Sequence, residues 1–244
     1  SAERFARGHP DLVQVTAEPF ALRLEDWQLQ QAGEFWQLQA GMADARLEVD
    51  LEMPVPIVLQ GEAGLSRKGP GQASYYYSMP GIPASGRIWV NGEPREVRGL
   101  GWLDREWSTS VLSEGQLGWD WFALQLDDGR RLMAFQLRRD DGARDAYDQG
   151  LLVTPDGAAR HLEAADFRLE PTRYWRDEAG TDWPVAWRLE LDGEVLLVEA
   201  VLDDQLMQTS IRYWEGMVAV HSEQGQRIGQ GYLELTGYSG PAAE

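Results

Sequence analysis

The chain has 244 residues and carries 22 basic against 40 acidic side chains, for a net charge of −18. That balance argues against a nucleic-acid partner and against a basic membrane-surface patch, since both need clustered Lys and Arg. Cysteine is absent, which excludes disulfides, thiolate nucleophiles and cysteine metal sites. The three histidines, His9, His161 and His221, share no metal-ligand spacing, so neither a metal nor a cofactor is expected.

The start, Ser1-Ala2-Glu3-Arg4-Phe5, lacks the apolar core of a signal peptide. Strand periodicity follows at Phe20–Leu24, Trp27–Leu29, Phe35–Leu38 and Arg46–Leu51. The stretch Gln60-Gly-Glu-Ala-Gly-Leu-Ser-Arg-Lys-Gly-Pro70 is rich in glycine and reads as a loop. Its adjacent cations Arg67 and Lys68 suit either an anion contact at a cavity mouth or a solvated turn. Next come Tyr75, Tyr76 and Tyr77, where alternation sends Tyr76 to the face opposite its neighbours.

Arg87–Val90 runs into Asn91-Gly92, the first of five two-residue turn candidates. The others are Asp128-Gly129, Asp141-Gly142, Asp156-Gly157 and Asp192-Gly193. Such pairs suit type I′ hairpins, because both central residues tolerate positive φ. In Gly101-Trp-Leu-Asp-Arg-Glu-Trp107, alternation sets Trp102, Asp104 and Glu106 on one strand face and Arg105 and Trp107 on the other. A carboxyl group beside indole rings has a raised pKa and suits general-acid work. The competing reading is a structural ion pair with Arg98 or Arg105.

Gly118-Trp-Asp-Trp-Phe122 sets Trp119 and Trp121 on one face and Asp120 on the other, as pocket walls or as plain core. Strands flank Asp128-Gly129 (Phe122–Asp127, Leu132–Arg138) and Asp192-Gly193 (Trp187–Leu191, Val195–Val198). Leu162–Phe167 suits a short helical turn, and Arg212–Val220 and Gly231–Tyr238 read as two closing strands. Glu215 and Glu234 read as a structural cross-strand contact. Nucleophile-elbow, P-loop and dinucleotide motifs are missing, and no one pair of acids is singled out for glycoside hydrolysis. Many short antiparallel strands with tight turns give an all-β sandwich or barrel, the barrel being favoured because closure removes sheet edges.

The strings QGEAGLSRKGP (60–70), SYYYS (74–78), GLGWLDREWSTS (99–110), GWDWFALQLDDGRRLMAFQLR (118–138), YWEG (213–216) and GQGYLELTGY (229–238) resemble the AttH-like family. That family includes the hydroxyneurosporene synthases, or carotenoid 1,2-hydratases. The resemblance implies two consecutive lipocalin-like β-barrels, here 1–115 and 116–244. It also implies an exported, periplasmic or secreted protein, with an envelope ABC transport system as a candidate partner. Family members carry a preceding segment with a Glu-Trp-Trp-Tyr motif, so the first barrel is expected to be incomplete and to need a complementing segment or a dimer mate. In the hydratase branch the position of Arg105 is commonly His, and an acid on a following strand is the expected proton donor. Leu132–Arg138 offers none, which leaves Asp104, Glu106 or Asp120.

Three functions follow from these observations. The first is an exported protein binding an apolar lipid or isoprenoid ligand, lined by Tyr76, Trp102, Trp107, Trp119 and Trp121, with Arg67 or Arg105 at a polar head. The second is an enzyme of carotenoid-hydratase type, with Asp104, Glu106 or Asp120 as acid. The third is an interaction partner of an envelope transporter, in which the aromatics are only core.

Overall fold

The computed structural model describes residues 2–4, 12–53, 55–108, 112–209 and 212–238. His9, Thr109 and Ser110 lie outside them. The described residues form nineteen strands. Five open the chain: β1 (Val13–Thr16), β2 (Ala21–Leu24), β3 (Trp27–Ala32), β4 (Phe35–Gly41) and β5 (Ala45–Glu52). Four follow: β6 (Val58–Leu59), β7 (Leu65–Gly69), β8 (Gln72–Val90) and β9 (Glu93–Trp107). The remainder are β10 (Gln116–Leu126), β11 (Arg131–Arg139), β12 (Gln149–Val153), β13 (Ala159–Glu163), β14 (Phe167–Arg176), β15 (Asp182–Leu191), β16 (Glu194–Ala200), β17 (Leu206–Gln208), β18 (Arg212–Ser222) and β19 (Arg227–Leu235).

Two compact units divide the chain, 1–57 with 79–103 and 58–78 with 104–244. The division differs from a cut at 115/116: residues 58–78 and 104–115 pack with the C-terminal strands. In the smaller unit β1 to β5 follow one another antiparallel, and β5 pairs with 84–90 of β8. Its buried apolar side chains among the described residues are Leu51, Met79 and Ile82, while Leu22, Phe35, Val90 and Leu100 stay exposed. This open sheet is a half-barrel.

The larger unit orders its strands β13-β12-β11-β10-β19-β18-β16-β15-β14. The pairing of β10 with β19 joins the start of the meander to its end. One core cluster draws inward-facing residues from every strand of that order, including Phe122, Leu132, Trp183, Trp187, Trp214 and Leu233. The sheet therefore wraps a filled interior, held by roughly 1.5–3 kcal/mol per fully buried large side chain. Alternation accounts for it: Phe122, Leu124 and Leu126 of β10 point inward at period two.

Of the five hairpin candidates, Asn91-Gly92 and Asp192-Gly193 have positive φ at both central residues, as type I′ requires. At the other three only the glycine is positive. There the aspartate carboxylate turns back to accept a backbone N–H two residues on, from Arg130, Ala143 and Ala158 respectively. This Asx contact favours a right-handed first residue and overrides the type I′ pattern. Leu162–Phe167 forms no helical turn; β13 runs through Glu163 and a three-residue turn leads into β14. Within 60–70, Gly61, Ala63 and Gly64 do take positive φ, but Leu65–Gly69 is a strand.

The β10–β19 seam is tight. A Cβ added at Gly231 would stand 2.3 Å from the Ala123 carbonyl oxygen, and one at Gly229 would stand 2.7 Å from that of Gln125. Backbone cannot move aside there without breaking the seam, so Gly231→Ala is expected to cost about 1–3 kcal/mol. Urea denaturation of the variant should show a lower midpoint at unchanged slope; an unchanged midpoint would mean the seam has slack.

Candidate functional site

The outward face of β10 and its neighbours is where chemistry collects. Register aligns Phe135, Trp121, Glu234 and Glu215 in one row across β11, β10, β19 and β18. Trp119 and Leu137 form the next pair. Across from this face, within the same unit, stand Lys68 of β7, Tyr76 of β8, and Asp104 and Glu106 of β9. Together with Trp119, Trp121, Phe135, Leu137 and Glu234 they line a cavity of about 170 Å³.

Its walls are held by specific contacts. The Trp121 indole N–H donates to the Tyr76 hydroxyl at 3.2 Å, and the Trp119 indole N–H donates to Glu234 Oε1 at 2.6 Å. The Ser78 hydroxyl donates to Asp104 and itself accepts from Gln60 at 2.8 Å. Glu106 pairs with Lys68 and accepts from the Ser74 hydroxyl. The Lys68 ammonium lies 5.5 Å from the centre of the Phe135 ring. Gln60, Ser74 and Ser78 are buried, so β8 and the residue after β6 supply a polar layer that orients the two acids of β9.

Electrostatics separates the carboxyl groups. Burial pushes Glu234 up to about 7, against the Trp119 hydrogen bond, and the negative charges of Glu215, Asp104 and Glu106 push the same way. Burial, then the charge on Asp104, raises Tyr76 well above its ordinary value, so it stays a neutral phenol. The arrangement offers a carboxylic acid that is partly protonated near neutrality, flat π faces, and carboxylates oriented by serines. That combination suits general-acid work on an apolar group and stabilisation of positive charge.

Five residues expected from sequence come together here: Tyr76, Asp104, Glu106, Trp119 and Trp121. The others do not. Asp120 points to the opposite face of β10, where Arg138 pairs with it at 2.6 Å and Gln136 and Tyr238 donate to it. Its expected role as a cavity acid is corrected: the cavity forms on the Trp119 and Trp121 face of β10, and Asp120 lies on the other. Trp102 lies in the smaller unit and does not line the cavity. Trp107, 52% exposed, falls on the other face of β9 and packs with Tyr75 and Tyr77 at 6.2 and 6.1 Å. Arg105 is exposed on that same face. Arg67 is exposed as well and lines a separate groove with Tyr147, Asp148 and His161. Its neighbour Lys68, one step along β7, takes the inward position.

Two further lining residues, Glu234 and Lys68, are visible in the sequence only as a structural cross-strand acid and as one of two adjacent cations. Alternation counted from Trp121 does not locate Glu234, because pairing of the last strand with β10 is long-range. Matching the two Trp residues of 119–121 to an acid on the closing strand would have found it.

A family model described as AttH-like matches residues 1–238. The fold is similar to a 2.00 Å crystal structure of an AttH protein from Nitrosomonas europaea, with a TM-score of 0.82 and 38% identity over 89% of this chain and 70% of that one. It is also similar to kievitone hydratase from Nectria haematococca, with a TM-score of 0.70 over the same shares of each chain. At 16% identity the latter likeness is one of fold. No curated protein matches the chain.

Glu234 makes the stability of the larger unit depend on pH in an uncommon direction. A carboxyl group that is easier to protonate folded than unfolded adds stability at low pH. That contribution is lost as pH rises from about 4.5 to about 7. Glu234→Gln keeps an oxygen for Trp119 and removes the titration. In urea denaturation the variant should show a flatter pH dependence across that window. At pH 8 it should be the more stable protein, by up to roughly 3 kcal/mol. Parallel curves would show that Glu234 titrates normally.

Proposed function

The chain belongs to the AttH-like family, and from that premise we propose that its larger unit is a hydratase, adding water across a carbon–carbon double bond of an apolar ligand. The observation that carries this reading is a half-buried carboxyl group, Glu234, poised at about 7 and facing a cavity walled by Trp119, Trp121, Phe135 and Tyr76. A protein that only stored an apolar ligand would gain nothing from burying that acid, which costs free energy whenever it ionises. The fold shared with a hydratase agrees with the reading and does not carry it.

The reaction runs in two proton transfers. The alkene π pair takes the proton of the Glu234 carboxyl; a C–H bond forms and Glu234 is left as carboxylate. The indole and phenol faces stabilise the carbocation, as they would an ammonium ion. A water oxygen then bonds to the cationic carbon, and its surplus proton passes to the Asp104 carboxylate. Asp104 suits the accepting role better than Glu106, whose Oε1 is already taken up by Lys68 and the Ser74 hydroxyl. Lys68 keeps one fixed positive charge at the cavity wall, which suits a polar end of the ligand. The small volume fits the reacting portion of a ligand, with the rest lying outside.

The test is a panel of linear isoprenoid alkenes incubated with the protein in water enriched in oxygen-18. Product should gain one labelled water, and Glu234→Gln should lower turnover by about 10²-fold or more. Trp fluorescence should report ligand binding in both proteins. Binding without turnover in wild type returns the protein to a pure binding role; turnover undiminished in Glu234→Gln removes Glu234 as the acid.

A further inference from the structure

An acid that gives its proton to a ligand has to regain one each cycle, and while the ligand fills this ring-lined cavity the direct way to water is blocked. Around Glu234 the titratable and charged groups are Asp104 and Glu106 of β9, Lys68 of β7, Tyr76 of β8, and Glu215, Tyr213 and Tyr232 of β18 and β19. Most of these face the cavity itself. Glu215 differs: it lies opposite Glu234 in register and does not line the cavity. Side chains so placed have Cβ atoms about 4.5–5.5 Å apart. Two carboxylates at that spacing repel, and a sheet with no use for the pair would gain by losing one of them.

Two residues before Glu234 on the same strand stands Tyr232, whose hydroxyl donates to Glu215 Oε2 at 3.3 Å. Tyr232 is 39% exposed, and beside it Met217, its cross-strand partner, is 51% exposed. Half-buried Glu215 thus lies beside the cavity acid on one hand and touches a solvent-exposed tyrosine on the other. Resting on the hydratase reading above, we infer that Glu215 is the relay through which Glu234 regains its proton from solvent, with Tyr232 holding the relay carboxyl in place.

The proton balance is simple. After the addition step Glu234 is a carboxylate and Asp104 a carboxylic acid, which releases its proton to water as product leaves. A proton from bulk water binds Glu215, making it a carboxylic acid. That O–H bond then breaks as one forms on Glu234, and Glu215 is again the carboxylate. Burial raises the proton affinity of Glu215, and burial with the adjacent charge of Glu215 does the same for Tyr232. Tyr232 therefore keeps its proton and serves to orient, while Glu215 carries the transfer.

The experiment is carbon-13 carboxyl NMR of the full chain, labelled at Glu, for wild type, Glu215→Gln and Tyr232→Phe, each assigned by the signal lost in Glu234→Gln and Glu215→Gln. In wild type the Glu234 and Glu215 signals should titrate together in two steps. In Glu215→Gln the Glu234 signal should titrate in one step at lower pH, since a neighbouring negative charge is gone. Tyr232→Phe should leave two steps, with the Glu215 midpoint moved upward because a hydrogen bond to its charged form is lost. A Glu234 titration identical in wild type and Glu215→Gln overturns the relay, whether or not the protein turns over any alkene. Where turnover is measured, Glu215→Gln should lower kcat several-fold and shift the pH–rate profile, with KM unchanged. A loss confined to KM, with the profile unmoved, also overturns it. Absence of turnover alongside coupled titration would sink the hydratase reading and leave the proton-sharing pair standing.

Discussion

The larger unit depends on one strand having two buried faces. In β10 the even-numbered residues, Phe122, Leu124 and Leu126, go into the barrel core, while Trp119 and Trp121 face outward. Outward residues of a barrel strand normally meet solvent, and a Trp there would be wasteful. Here they meet Lys68 of β7, Tyr76 of β8 and the acids at the end of β9. Period-two alternation thus gives one strand two jobs, and a one-residue slip would exchange them: Asp120 would enter the cavity and Trp121 the core. Arg138 and Tyr238 make that slip costly. Both grip Asp120 on the core side, and the Arg138 guanidinium stacks 3.6 Å from the centre of the Tyr238 ring.

Filling the interior has a functional consequence. A barrel that holds its ligand inside must give up core packing to do so. This one is packed with Trp183, Trp187 and Trp214, each essentially fully buried, and places its candidate site on the outer surface. Stability and chemistry are then carried by opposite faces of the same strands. Substitutions at Glu234 or Trp119 leave the core cluster intact, whereas a cavity in a ligand-holding barrel would couple the two.

The architecture was legible in the sequence because strands and turns are local. Alternation at Phe122–Asp127 and Trp187–Leu191, and the Asn91-Gly92 and Asp192-Gly193 turns, are written in adjacent residues. So were the opposed faces of Tyr76 and its neighbours, and of Asp104 and Glu106 against Arg105 and Trp107. What failed was pairing at a distance. Asp120 and Trp107 were assigned to a pocket without knowing which face the partner strands cover. Glu234 was set aside as structural because nothing near it in sequence marks it; its neighbour across the sheet, Trp121, is more than a hundred positions away in the chain. Lys68 was outranked by Arg67 for the same reason, since only the register of β7 against β8 decides which of two adjacent cations turns inward.

The crowding of carboxyl groups follows from that distance. Asp104 and Glu106 arrive from one side of the cavity, and Glu234 and Glu215 from the other; no local rule keeps four acids apart when long-range pairing brings them together. A chain with net charge −18 already repels itself, and burying more negative charge adds to that cost. The protein meets it unevenly. Glu106 receives Lys68 and a serine hydroxyl, Asp104 a serine hydroxyl, and Glu234 an indole N–H, so only Glu106 meets a full positive charge among these contacts. At Glu234 burial outweighs that single hydrogen bond, and the group keeps its proton up to about 7. Unequal compensation of similar groups is what separates an acid from a base at a single site, and here it is set by which strand each carboxyl comes from.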